Sequence, residues 1–213
     1  MRKVETKKMV GLALLTSIVV VLQILGGFIR FGMFSISLVL VPIVVGAALY
    51  GWKSGAWLGL IFAVMVFLTG DAGAFLAVNP LGTIIVVVVK GVLAGLCAGL
   101  VYKAFEKKNT YLATVMAAIV CPIVNTGVFL LGCKLFFMGI VMEWATAAGF
   151  TGNVAGYMFL VLAGGNFLFE LGVNVVLSPV IVRLINIGKG RSAAPKKAAK
   201  KAEDTSAQPG TDK

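Results

Sequence analysis

Residues Ala47–Gly59 read AALYGWKSGAWLG, a single lysine between apolar runs that continue well beyond the segment on both sides. Three readings compete for it: a turn between membrane spans, a glycine-rich ligand loop, and a soluble hairpin. A phosphate-cradling loop needs a preceding strand and a spaced glycine set, and neither is present. A soluble hairpin does not carry apolar stretches of helical length on each side. The turn remains. Gly51 and Gly55 permit a tight reversal, Lys53 marks the cytoplasmic side, and Trp52 and Trp57 suit the membrane interface.

The whole chain carries the same signature. Of 213 residues, 60% are hydrophobic and 13% charged, and the mean hydropathy is +1.02. Soluble domains are about a quarter charged. Between Val10 and Val182 stand only Arg30, Lys53, Lys90, Lys103, Lys107, Lys108, Lys134, Asp71, Glu106, Glu143 and Glu170. So few charges cannot solvate a water-exposed surface, and the sequence predicts an all-α integral membrane protein. The net charge of +11 does not indicate nucleic acid, because the cations gather at the chain ends and in two short connections. Residues 188–213, GKGRSAAPKKAAKKAEDTSAQPGTDK, form a basic tail expected to be disordered and able to touch anionic lipid.

Six spans are expected, at about 9–28, 36–50, 54–68, 81–105, 112–131 and 156–185, forming one bundle over residues 1–187. The basic-then-apolar start resembles a signal peptide, but no convincing cleavage site follows, so it reads as a retained first helix. The second and third spans fall short of the roughly 20 residues that cross a bilayer. Either they extend into flanking segments or protein satisfies their ends. With the N-terminus inside, sixteen of the 19 cations fall on the cytoplasmic side. Only Arg30 and Lys134 lie outside, with Lys90 within a span, so both termini are expected in the cytoplasm. The outer connections, 29–35, 69–80 and 132–155, are long and apolar. They suit either a lid over an outward-facing cavity or aromatic anchoring at the interface. Whether 138–150 is a further helix stays open.

Enzyme chemistry and metal binding find little support. The chain has no histidine, no paired-carboxylate motif and no phosphate loop. Cys97, Cys121 and Cys133 lie in apolar runs without ligand spacing, so no cofactor is expected. Gly55 with Gly59, and Gly91, Gly95 and Gly99, form GxxxG patterns that bring membrane helices close. Ala13 and Ser17 make a small pair on the first helix, facing the bundle or a partner. Lys90 sits about 14 Å into its span, where a lysine must face the interior and find a partner. It either pairs with Glu170, at similar depth in the last span, or meets an anionic or carbonyl group of a solute. Asn125, Asn166 and Asn174 add buried amides at related depths. Asn79, before Pro80, is a helix cap.

Taken together, three stretches resemble the substrate-binding S components of energy-coupling factor (ECF) vitamin transporters. They are KKMVGLALLTSIVVVLQ (Lys7–Gln23), FSISLVLVPIVVGAALYGWKSGAWLGL (Phe34–Leu60) and NPLGT (Asn79–Thr83), and the resemblance covers about residues 5–187. It implies a multi-pass protein of a prokaryotic cell membrane. Such a protein captures a small water-soluble vitamin from outside and docks on a transmembrane coupling subunit shared with two ATPases. Ala13 matches the small-residue docking motif and Ser17 stands where alanine is usual. The family's ligand region, carried onto this chain, takes in Asn79, Lys90, Asn125 and Asn166, with Glu170 beside Lys90. Trp52 stands where relatives commonly carry proline. Lys90 and Arg30 suit a carboxylate-bearing or electron-rich ligand, pantothenate or riboflavin among the candidates. A gradient-driven transporter or channel, and a non-catalytic membrane assembly protein, are the alternatives.

Overall fold

The computed structural model describes residues 2–28, 30–31, 34–35 and 38–188; the side chain of Arg30 and the basic tail lie outside the described residues. The described chain is helical apart from one two-residue antiparallel ribbon, β1 (Arg30–Phe31) with β2 (Phe34–Ser35). The helices in order are α1 (Arg2–Gly26), α2 (Leu40–Tyr50), α3 (Trp52–Leu68), α4 (Gly73–Leu76), α5 (Pro80–Phe105), α6 (Thr110–Phe136) and α7 (Met138–Ala147). They are followed by α8 (Val154–Tyr157), a π-helical stretch Met158–Gly164, α9 (Gly165–Val176) and α10 (Ser178–Gly188). Val154–Val176 runs as one helix of 23 residues. With α1, α5 and α6 it makes four helices long and apolar enough to cross a membrane.

The short helices owe their length to burial. α2 has 11 residues, and Leu40, Ile43, Val44, Val45, Ala47 and Ala48 are all buried. A helix that is apolar all round belongs inside a bundle, and α2 packs against α1, α3, α5, α6 and α10. Protein, rather than extra turns, covers it. The joint to α3 is one residue wide: Gly51 has φ +92, a left-handed conformation that costs glycine nothing. Gly55 takes no part in this reversal, contrary to the sequence expectation. It lies inside α3, where a Cβ would strike the Gly95 carbonyl of α5.

That contact repeats along the pair. Cβ atoms on Gly59 and Gly91 would each strike the other's carbonyl oxygen, and one on Gly99 would meet the Trp52 backbone. The GxxxG faces are therefore the interface of α3 with α5, backbone on backbone. The fifth span, expected to end near residue 131, continues as α6 to Phe136, and within it stands Gly132. The space of its missing side chain holds Val86 of α5. The expected last span also divides, at Leu177, between α9 and α10; Pro179 carries no N–H to extend the hydrogen-bond ladder there. The segment after α6 is helical as far as Ala147, as α7.

Helix starts follow ordinary capping. Asn79 takes an extended conformation and its Oδ1 accepts from Gly82 N at 2.9 Å, with Pro80 at the first helical position of α5. Asn109 does the same for α6, accepting from Tyr111 N at 2.8 Å.

Gly91→Leu should lower the thermal unfolding stability of the purified protein by about 2 kcal/mol or more, because the carbonyl it meets cannot move away. Gly172→Ala, with open space around it, should leave the protein as stable or slightly stabilised. Equal melting temperatures for the two variants would contradict the backbone-contact account.

Candidate functional site

A cavity with about 580 Å³ of atom-free space, its open mouth included, lies among α1, α3, α5, α6 and α9. Its polar lining comes from separate elements: Gln23 of α1, Asp71 before α4, Thr83 and Lys90 of α5, Asn125 of α6, and Asn166 and Glu170 of α9. Four aromatic rings, Phe62 from α3, Phe75 from α4, Phe129 from α6, and Phe137, join aliphatic side chains such as Val66, Val86 and Val87 in the remaining wall. A smaller space of about 310 Å³ adjoins it and shares Lys90, Asn125, Phe129 and Asn166, adding Thr126, Leu162 and Ala163.

Lys90 is held by its surroundings from several directions. Its Nζ lies 5.5 Å from the ring centre of Phe62 and 5.5 Å from that of Phe129. Two ring faces attract a cation there through their quadrupoles, more strongly where water is excluded. The carboxylates acting on it electrostatically are those of Glu170, then Asp71. The register explains the position. Lys90 directly precedes Gly91, and Phe62 follows Gly59 by three residues, so the glycine contact brings ring and ammonium together.

The acids also orient amides. Gln23 Nε2 donates to Asp71 Oδ2 at 2.8 Å, and the Thr69 hydroxyl donates to the same oxygen at 3.2 Å. Asn166 Nδ2 donates to Glu170 Oε1 at 3.0 Å. Asn174 Nδ2 donates to the Glu170 backbone carbonyl at 2.8 Å, within its own helix, and does not line the cavity. Gln23, Asn125 and Glu170 are all buried, at 4% exposure or less.

The roof is aromatic. Phe75 meets Phe129, Phe137 and Trp144 edge-on, with ring centres at 5.6, 5.0 and 5.4 Å, the geometry rings prefer. Trp144 belongs to α7, whose Val141 and Ala145 are buried beneath it. The segment 132–155 thus gives Phe137 to the cavity wall and Trp144 to the ring cluster, and within it Phe136 and Met142 remain exposed.

Among the residues singled out in the sequence, Lys90, Asn125, Asn166 and Glu170 come together in one cavity. Asn79 does not line it; its side chain is occupied in capping α5. Ala13 and Ser17 lie one turn apart on the exposed side of α1, with the Ser17 hydroxyl donating to the Ala13 carbonyl at 3.1 Å. Gln23, Asp71 and the four rings were not among the expected site residues. Two of them left a signal. Gln23 is the one polar side chain in IVVVLQILGG (Ile18–Gly27), and Asp71 is the only acid between Glu5 and Glu106. Among the rings, Phe75 and Phe137 lie in the connections 69–80 and 132–155, expected as a lid or as aromatic anchoring, whereas Phe62 and Phe129, set within apolar runs, left no signal.

Asn79→Ala should cost about 1 kcal/mol in thermal unfolding through loss of the cap. A change below about 0.3 kcal/mol would show that the cap bond is not needed.

The family model described as "ECF transporter, substrate-specific component" matches residues 7–182. The chain is also similar to the pantothenic acid transporter PanT of Lactococcus lactis subsp. cremoris (strain MG1363). The two are 25% identical over 209 aligned residues, covering 90% of this chain and all of that protein. No solved structure matches the chain significantly. A cavity of buried amides and one lysine inside an apolar helical bundle suits capture of a small polar solute, and the family match extends over nearly all of that bundle: the chain belongs to the substrate-specific components of ECF transporters.

Proposed function

We propose that this chain captures pantothenate, or a closely similar small carboxylate, in the cavity around Lys90 and delivers it to a membrane coupling subunit driven by two ATPases. The observation that carries the reading is Lys90 itself, a cation framed by Phe62 and Phe129 in a cavity walled by amides. Pantothenate offers a carboxylate for the ammonium, hydroxyls and an amide for Gln23, Asn125 and Asn166, and a branched apolar centre for the rings. Riboflavin carries no carboxylate to meet Lys90. The similarity to a pantothenic acid transporter supports the same choice.

In this reading the membrane is crossed six times, by α1, α2, α3, α5, α6 and the Val154–Val176 helix followed by α10, with both termini in the cytoplasm. The sidedness of the cations supports it. The roof built from Phe75, Phe137 and Trp144 then faces outward and excludes water from the bound solute. The exposed Ala13–Ser17 turn of α1 serves as the docking face, since small side chains let a partner helix approach closely.

Native mass spectrometry of the purified chain is expected to find one retained pantothenate, and calorimetry to find tight binding of pantothenate but not of riboflavin. Proton- or sodium-driven uptake by vesicles holding this chain alone would overturn the reading. Lys90→Ala should weaken pantothenate binding by about 10- to 100-fold, the worth of a charged hydrogen bond, with little change in the melting temperature of the ligand-free protein. Parallel loss of folding and binding would assign Lys90 to a structural pair with Glu170 instead. Ala13→Trp and Ser17→Trp should spare binding while reducing co-purification with the coupling subunit. Unchanged co-purification would move the docking face elsewhere.

A further inference from the structure

The two carboxylates of the cavity perform the same task on different elements. A carboxylate accepts hydrogen bonds and has none to give. Asp71 therefore requires the amino edge of Gln23 to face it, and Glu170 requires the amino edge of Asn166. An amide in a cavity wall has two edges that are nearly alike in shape. Here each acid fixes which edge is left over, and in both cases it is the carbonyl.

Both remaining oxygens, Gln23 Oε1 and Asn166 Oδ1, are shielded from water and have no hydrogen-bond partner among the described residues. Asn125 Oδ1 is in the same condition. All three residues line the cavity. Leaving a buried acceptor unsatisfied is unfavourable, and native structures do so rarely. Three such acceptors around one cavity are accounted for if a bound molecule supplies the missing donors. Each bond formed by a ligand donor satisfies an acceptor that the protein leaves unmet, and so adds to affinity.

We infer that Gln23 and Asn166 are specificity-determining acceptors, held in orientation by Asp71 and Glu170 as positioning residues, for a ligand that presents hydroxyl or amide N–H donors beside the group that meets Lys90. This rests on the cavity being the capture site proposed above, and it adds α1, through Gln23, to the elements that read the ligand. The walls then divide the work. Lys90 recognises an acceptor or anion, and the acid-held amides recognise donors. A simple carboxylate without hydroxyls satisfies Lys90 and leaves the carbonyls unmet, so the site rejects it.

The test is calorimetry on the full chain in nanodiscs, using pantothenate and its two analogues that each lack one hydroxyl. Gln23→Leu is expected to weaken pantothenate by about tenfold or more. Against one of the two analogues it should change affinity by less than about threefold, because the bond is already missing there. Asp71→Asn should lose part of the same discrimination, since an asparagine no longer dictates which edge of Gln23 it meets. Where Gln23→Leu does not fold, Asn166→Leu is read in the same way. Tight pantothenate binding by the unmodified chain, with the leucine variant weakened equally for all three compounds or not at all, overturns this inference alone. No pantothenate binding by the unmodified chain overturns the substrate proposal, and this assignment with it.

Discussion

The structure is organised around the contact between α3 and α5. Where Gly55 meets Gly95 and Gly59 meets Gly91, no side chain separates the two backbones. Lipid tails are as apolar as leucine, so membrane helices gain little by hiding apolar surface from one another and depend on close packing. Glycine supplies that closeness along a seam of several turns. The seam also sets register: Phe62 and Lys90 flank it, one on each helix, and the ring comes to lie 5.5 Å from the ammonium. A shift of either helix by one residue would turn one of them away by about 100°. The cavity's cation is thus placed by residues that do not touch the cavity.

Around that seam the molecule separates two kinds of burial. One core, built on α2 with parts of α1, α3, α5, α6 and α10, is almost entirely aliphatic. The second is aromatic and lies toward the roof, where Phe75 and Phe137 pack with Tyr157 and the α7 residues Val141 and Ala145. The cavity sits between them, with Phe62, Val66 and Val87 on its wall from the first and Phe75, Val86 and Phe137 from the second. Polar groups are costly in such surroundings unless hydrogen-bonded. The chain meets that demand in part by pairing each acid with an amide and bringing Lys90 into their field. The amide carbonyls are where a polar solute can complete the network.

The sequence by itself determined much of this. The sparse charges and the length of the apolar runs identified a helical membrane bundle, because a surface so poor in charge cannot face water. The GxxxG spacings marked the seam, Asn79–Pro80 marked a helix start, and Lys90 stood out because a lysine at that depth needs a reason. Asn125, Asn166 and Glu170 stood out on the same ground. These are local facts: each follows from one residue or one short spacing set against the solvent it must occupy.

Only the tertiary structure decided the rest. Gly51 and Gly55 look alike in the sequence as residues that permit a reversal, and whether a glycine ends a helix or admits a neighbour depends on what packs there. At Gly55 it is Gly95 that does. The rings over Lys90 come from α3 and α6, and no periodicity within one helix reveals which aromatic residues of two will converge. Gln23 could be seen as an amide in an apolar run, but its partner Asp71 lies 48 residues away. That pairing, and the direction in which it leaves the Gln23 carbonyl, exists only once α1 is packed beside the loop before α4. Hydrogen-bond direction depends on partners that are distant in sequence, so the polar lining of this cavity is a property of the fold.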